Sequence, residues 1–384
     1  MKVSTKVSKV GQYIFAELAQ KTAKVEKESG MTVLNLAAGN VSVAPSKNAM
    51  KELSKLTLDA KNYIYPGYGA IPVLEQALRS HYDEVYDVEL NASQIQPVLG
   101  AKDGIASLTL ALTDPGDEIL IPNPGYPAYT ATAKMFGIKP VYYTVSFTQK
   151  DGQKNRLDIS KIESKITKQT KFIWVNFPSN PTGEMITKES LTELVAMCKK
   201  HKIWLLHDHA YSQIFFGGQR PVSVLEVPGA MDVAIELGSF SKSHSFAGLR
   251  MGWVVGNEKV VAAMKTVNSQ IDSGLSLPLQ KLAAYVLTNA DEKWHKKMIK
   301  TYTEKRDKVA QLLTKYDLEF ELPQSGLYIW ARVPKKYKDG ADYAEQLLSK
   351  EKILVVPGTV YGSAGKMFVR ASFAPDISLI ERYL

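Results

Sequence analysis

Ser239-Phe240-Ser241-Lys242-Ser243-His244-Ser245-Phe246-Ala247-Gly248-Leu249-Arg250-Met251-Gly252 decides how this chain is read. One lysine sits among serines and small residues, with an arginine eight positions later. A surface lysine needs no such neighbours. A lysine that carries a flat, phosphorylated group does: small residues leave room for a ring, and hydroxyls with a guanidinium hold an anion. The stretch lies between two apolar runs, Val233–Leu237 and Met251–Val255, so it links two strands.

Helix and strand signals alternate upstream of it. Ile71–Val85 and Asp103–Leu112 read as helices, and Glu118–Ile121 as a strand after the Pro115-Gly116 turn. Tyr129–Phe136 returns to helix and Val141–Val145 to strand. Lys171–Val175 and Ile203–His207 read as strands on either side of a helix at Lys188–His201. This alternation predicts an α/β domain with a mostly parallel sheet. After about residue 275 the pattern changes. A long charged helical stretch, Leu279 to Tyr316, precedes strand signals at Phe320–Leu322, Leu327–Val333 and Phe368–Ser372. These predict a second, smaller α+β domain.

The chain has 384 residues, 45% hydrophobic and 23% charged, the balance of a globular protein. That length buries a core without disulfide or metal staples. The single cysteine, Cys198, excludes an internal disulfide and a Cys-rich zinc site and points to a reducing compartment, the cytoplasm. It shares a helical stripe with Leu194 and reads as a core residue. The net charge of +9 raises anionic partners. Yet the lysines recur in Lys47–Lys61, Lys161–Lys171, Lys293–Lys308 and Lys335–Lys338, usually with acidic residues nearby. That is the pattern of solvated faces, so no nucleic acid is expected. No window of about 18 apolar residues exists, so no membrane span is expected. Met1 to Val10 lacks the apolar stretch of a signal peptide.

Two apparent motifs fail. Gly67-Tyr68-Gly69 opens a glycine pattern whose sixth position is Pro72, which breaks the dinucleotide fingerprint. His207-Asp208-His209 suggests metal ligands, but on a strand the two histidines face one side and Asp208 the other. No metal is expected.

The remaining segments carry chemistry. Asp208 closes the strand at Ile203–His207, with Tyr211 three residues on. Strand ends are where α/β folds place ligands, and a carboxylate there can pair with a protonated ring nitrogen. Asn176-Phe177-Pro178-Ser179-Asn180-Pro181-Thr182-Gly183 is a Pro/Gly turn after a strand. Gly100-Ala101-Lys102-Asp103-Gly104 opens a helix, where backbone N–H groups bind phosphate. Pro122–Tyr129 is a rigid loop carrying Tyr126. Tyr63–Pro72 holds three tyrosines, of which Tyr65 lies six before Ile71. Phe368–Ala374 carries Arg370, whose planar fork suits a carboxylate. Leu36-Ala37-Ala38-Gly39-Asn40 is small and near the start. None of the eight arginines stands out as a second carboxylate clamp.

In this order, over about residues 10 to 384, the segments resemble the class I and II aminotransferases, pyridoxal-phosphate enzymes of fold type I. Around Lys242 and Ser179–Gly183 they look closest to the bacterial aspartate, aromatic and diaminopimelate aminotransferases. The resemblance implies a mostly parallel seven-stranded sheet between helices in a large domain of residues 45–275. It implies a small domain built from 1–44 and 276–384. It makes Lys242 the Schiff-base and proton-transfer lysine, Asp208 the partner of the ring nitrogen, and Tyr211 and Asn180 the partners of the phenolic oxygen. Ala101, Lys102, Ser239, Ser241 and Arg250 would hold the phosphate, and Tyr126 would lie on the ring. Arg370, Gly39 and Asn180 would bind the substrate. The implied assembly is a homodimer in which Tyr65 reaches the neighbouring subunit's phosphate. The implied reaction is ping-pong transfer of an amino group between an amino acid and a 2-oxo acid. A carbon–sulfur lyase of the same fold is the alternative. The chain departs from the family pattern at His209, Ala70 and Val41-Ser42, where Glu, Gly and an acidic residue are usual.

Overall fold

The computed structural model describes residues 3–11, 14–150 and 153–384. Its central sheet has seven strands: β1 Ile95–Val98, β2 Glu118–Asn123, β3 Lys139–Thr144, β4 Thr170–Asn176, β5 Trp204–Asp208, β6 Ala234–Ser239 and β7 Gly252–Gly256. Their spatial order is β1-β7-β6-β5-β4-β2-β3. Only β7 runs against its neighbours. This is the mostly parallel α/β sheet that the alternating pattern predicts.

The inner strands are apolar on both faces because helices cover both. Along β4, Ile173 and Val175 enter one core, while Phe172 and Trp174 enter the other. Seven helices matter here: α1 Ile14–Ser29, α2 Lys47–Leu58, α3 Pro72–Tyr86, α4 Ala101–Leu112, α5 Phe240–Ser243, α6 Leu277–Thr288 and α7 Glu292–Lys315. Leu74, Leu78 and Tyr82 of α3 pack into the first core, and Ile105 and Leu108 of α4 into the second. Cys198 is fully buried in the first core, and burial pushes its thiol up.

A second, antiparallel sheet has the order β8-β10-β9, with β8 Tyr328–Arg332, β9 Val356–Pro357 and β10 Phe368–Ser372. Its core joins Leu312 and Leu313 of α7 to Ile329, Val369 and Ala371, and takes Leu34 and Leu36 from near the N-terminus.

Two expectations change. The stretch Leu279 to Tyr316 is two helices, because Asp291 caps a new one by accepting from Trp294 N. Among the described residues, Phe320–Leu322 forms no strand: the neighbouring Glu319 makes an isolated bridge to Arg332, and Pro323 follows without a donor. Leu282, Ala283 and Val286 of α6 share the first core with α3. Among the described residues, no helix is long and apolar enough to cross a membrane.

Candidate active site

The carboxyl ends of the parallel strands converge on one edge of the sheet. Asp208 ends β5, Asn176 ends β4 and Ser239 ends β6. Register sets Asn176 beside Asp208, and Gly252 beside Ser239. The short helix α5 follows β6 at once and carries Lys242; Ser239 caps it by accepting from Ser241 N at 3.2 Å. A cavity of about 680 Å³ opens at this edge. Lys242, Asp208, Tyr211, Ala101, Lys102, Tyr126, Asn180, Ser239, Ser241, Arg250, Arg370 and Gly39 all line it. Tyr65 does not, and it is 85% exposed.

Lys242 Nζ donates to Gly39 O at 2.6 Å and lies 5.9 Å from the Tyr211 ring centre. Burial holds its pKa below the usual lysine range; Arg370 and Arg250 act the same way and Tyr328 against them. Asp208 is buried. Tyr129 OH donates to its Oδ2 at 2.6 Å and Ala210 N to its Oδ1 at 3.2 Å. Burial pushes this carboxyl up. Asn176 fixes the turn behind it, donating to Asp208 O at 2.9 Å and accepting from Asn180 N.

Arg370 is 2% exposed in the middle of β10. It donates to Asn180 Oδ1 at 3.0 Å and to Ala37 O at 2.7 Å. Its guanidinium carbon lies 3.9 Å from the Tyr328 ring centre, 5.0 Å from Tyr361 and 5.4 Å from Phe15. Its Nε is buried without a hydrogen-bond partner. A buried donor left open is costly unless a ligand accepts from the same fork.

Sequence reasoning missed Tyr129, Tyr328 and Phe15. Tyr129 stands three residues after Tyr126, on the helix Pro127–Phe136. Tyr328 and Phe15 reach Arg370 from distant parts of the chain, and no local pattern marks them.

The family model described as aminotransferase class I and II matches residues 31–384. The chain belongs to this family. It is 33% identical over 383 residues to an LL-diaminopimelate aminotransferase of Dehalococcoides mccartyi, covering 100% of this chain and 97% of that one. A structure of apo-BacF from Bacillus subtilis superposes with a TM-score of 0.92 at 28% identity, covering 100% and 97%. A Thermus thermophilus aspartate aminotransferase double mutant shares the fold, with a TM-score of 0.90 at 22% identity over 100% and 98% of the two chains. This aminotransferase is therefore a pyridoxal-phosphate enzyme of fold type I that transfers amino groups; the lyase alternative is not favoured.

The residues present fit the cofactor. Gly100 has φ 87°, a conformation that favours glycine, and a Cβ there would crowd the Arg250 guanidinium in a corner that suits a phosphate. No side chain caps α4 beside it, and helix N-termini attract anions. Arg250 Nη1 reaches Ser241 Oγ at 3.5 Å across the same corner. At the other end, Asp208 is an acid buried without a lysine or arginine in ion-pair reach among the described residues. A protonated ring nitrogen would fit there as the positive partner.

Proposed function

We propose that this cavity transfers an amino group in two halves, with Lys242 at its centre. The convergence of Lys242, Asp208 and Arg370 on one cavity carries this reading. Pyridoxal phosphate, when bound, supplies an aldehyde for the substrate's amino group and a ring that draws electrons from its Cα.

The chain's residues do the rest. Lys242 is the attachment point between turnovers. Once released, its Nζ would move the proton from the substrate Cα to the cofactor's C4′ and, in the second half-reaction, from C4′ to the Cα of the incoming 2-oxo acid, a task suited to an amine with a lowered pKa. Arg370 grips the substrate α-carboxylate, and the Gly39 backbone lines that side. Asp208 holds the proton on the ring nitrogen, and Tyr129 holds Asp208. Tyr211 and Asn180 would address the phenolic oxygen, and Tyr126 would lie against the ring. Ala101, Lys102, Ser239, Ser241 and Arg250 hold the phosphate. The enzyme works as a cytoplasmic homodimer in which Tyr65 completes the neighbour's phosphate site. The run of exposed apolar residues at Leu58, Tyr63, Ile64 and Tyr65 supports a partner on that face.

LL-diaminopimelate is the first candidate amino donor, from the relative's name. A second reading, an apolar amino acid, is favoured by Phe15, Leu18 and Leu354 on the cavity wall. The test mixes the loaded enzyme with each amino acid separately and follows the cofactor's absorption band. We expect the band to fall with the true donor and to return with a 2-oxo acid. Fastest decay with LL-diaminopimelate supports the first reading, and with phenylalanine or leucine the second. Ammonia release without recovery of the band contradicts both.

A further inference from the structure

We propose that Tyr328 is a positioning residue: it sets where the single hydroxyl hydrogen of Tyr211 points, and a carboxylate bound at Arg370 resets it. The proposal rests on the roles given above to Arg370 and Tyr211.

Sheet register builds the contact. Tyr328 lies opposite Ser372, and Trp330 opposite Arg370, so Tyr328 and Arg370 are diagonal neighbours on one face. The Tyr328 ring stacks on the Arg370 guanidinium at 3.9 Å, and its hydroxyl is 3.0 Å from Tyr211 OH. A side chain at Gly39 would overlap that hydroxyl, so the 37–40 backbone closes directly over it. The Gly39 carbonyl is also the acceptor of Lys242. One buried tyrosine therefore touches the carboxylate clamp, the substrate-side backbone and the cofactor-facing tyrosine.

Tyr211 has one O–H. If it donates to Tyr328, it cannot donate to the cofactor. If Tyr328 donates to it, its own hydrogen is available to the phenolic oxygen. The charged groups facing the pair are Arg370 on β10 and Lys242 on α5; Tyr126 also faces Tyr211. Burial raises both phenols. At Tyr328, Arg370 and Lys242 outweigh it and pull the phenol below its ordinary value, while Tyr211 stays above. An anion on Arg370 cancels part of that pull. With the clamp empty, the guanidinium stacked on its ring makes Tyr328 the stronger donor of the pair, so it donates to Tyr211 and leaves the Tyr211 hydrogen for the cofactor; with the clamp filled, Tyr328 donates less readily and Tyr211 turns part-way back to it.

The experiment titrates the cofactor's absorption against pH in the loaded enzyme, with and without maleate or 3-phenylpropanoate. These carboxylates have no amino group to transfer. In the wild type, a bound carboxylate should move the midpoint by about half a unit or more, about threefold in proton affinity. In Tyr328→Phe and in Tyr211→Phe that movement should fall by more than half. A wild-type midpoint that neither carboxylate moves, or a Tyr328→Phe movement equal to wild type, overturns the proposal. Arg370→Ala separates the two layers. If it abolishes the movement while Tyr328→Phe keeps it, the relay fails and the clamp stands. If Arg370→Ala keeps the movement, the clamp itself is wrong.

Discussion

The two faces of β5 treat a buried carboxylate in opposite ways. On the cavity face, Asp208 is held by one phenol and one backbone N–H. On the other face, Glu236 of β6 is enclosed. Its Oε1 accepts from Tyr82 OH at 2.8 Å and lies 3.2 Å from His209 Nδ1. Its Oε2 accepts from Ser223 OH at 2.7 Å and Val224 N at 3.1 Å, and lies 3.1 Å from His207 Nδ1. Burial pushes both acids up. At Glu236 the two histidines outweigh it and hold the carboxyl well below the ordinary range; at Asp208 burial prevails. A saturated acid is scaffold. An acid with capacity to spare faces a ligand. The group His207, His209 and Glu236 places three metal-type donors close together, but the oxygens are already engaged by protein donors, and it reads as a hydrogen-bond network.

Two substitutions break this comparison. Asp208→Asn should leave the fold intact and lower kcat by about 10³-fold, the scale of losing an electrostatic partner in a dry site. Steady-state kinetics alongside a thermal melt checks it; full turnover would remove Asp208 from the chemistry. Glu236→Gln should do the reverse. Stability should drop by about 3 kcal/mol, because the amide keeps one acceptor oxygen and turns an NH2 group on buried donors that the second carboxylate oxygen satisfied. Turnover per folded molecule should change little. Urea unfolding measures the first and active-site-normalised kinetics the second. An unchanged midpoint would mean that the network does not hold the sheet.

How much of this was legible in the sequence depends on the distance between the groups that meet. That Lys242, Asp208, Asn180 and Arg250 meet at one cavity was readable from the order of their segments, since the lysine segment is specific while the Asp208 and Asn180 segments are weak alone. The parallel sheet was readable from alternation. Tyr129 meeting Asp208, and Tyr328 meeting Arg370, were not, since register and chain crossing bring them together. The same holds for Glu236: the pattern separated His207 and His209 from Asp208, but their partner came from the pairing of His207 with Glu236 across β5 and β6. The break between α6 and α7 turned on one capping aspartate inside a charged, helix-favouring run. Strand signals at Phe320–Leu322 misled because apolar content without a pairing partner makes no strand.

Chemical trapping at Lys242 tests the central claim most directly. The enzyme is loaded with pyridoxal phosphate, reduced with borohydride and digested, and the modified peptide is identified by mass spectrometry. The arrangement described here predicts the added pyridoxyl group on Lys242, and its loss when a substrate amino acid is added before the reductant. A group fixed to any other lysine, or none fixed at all, would contradict it.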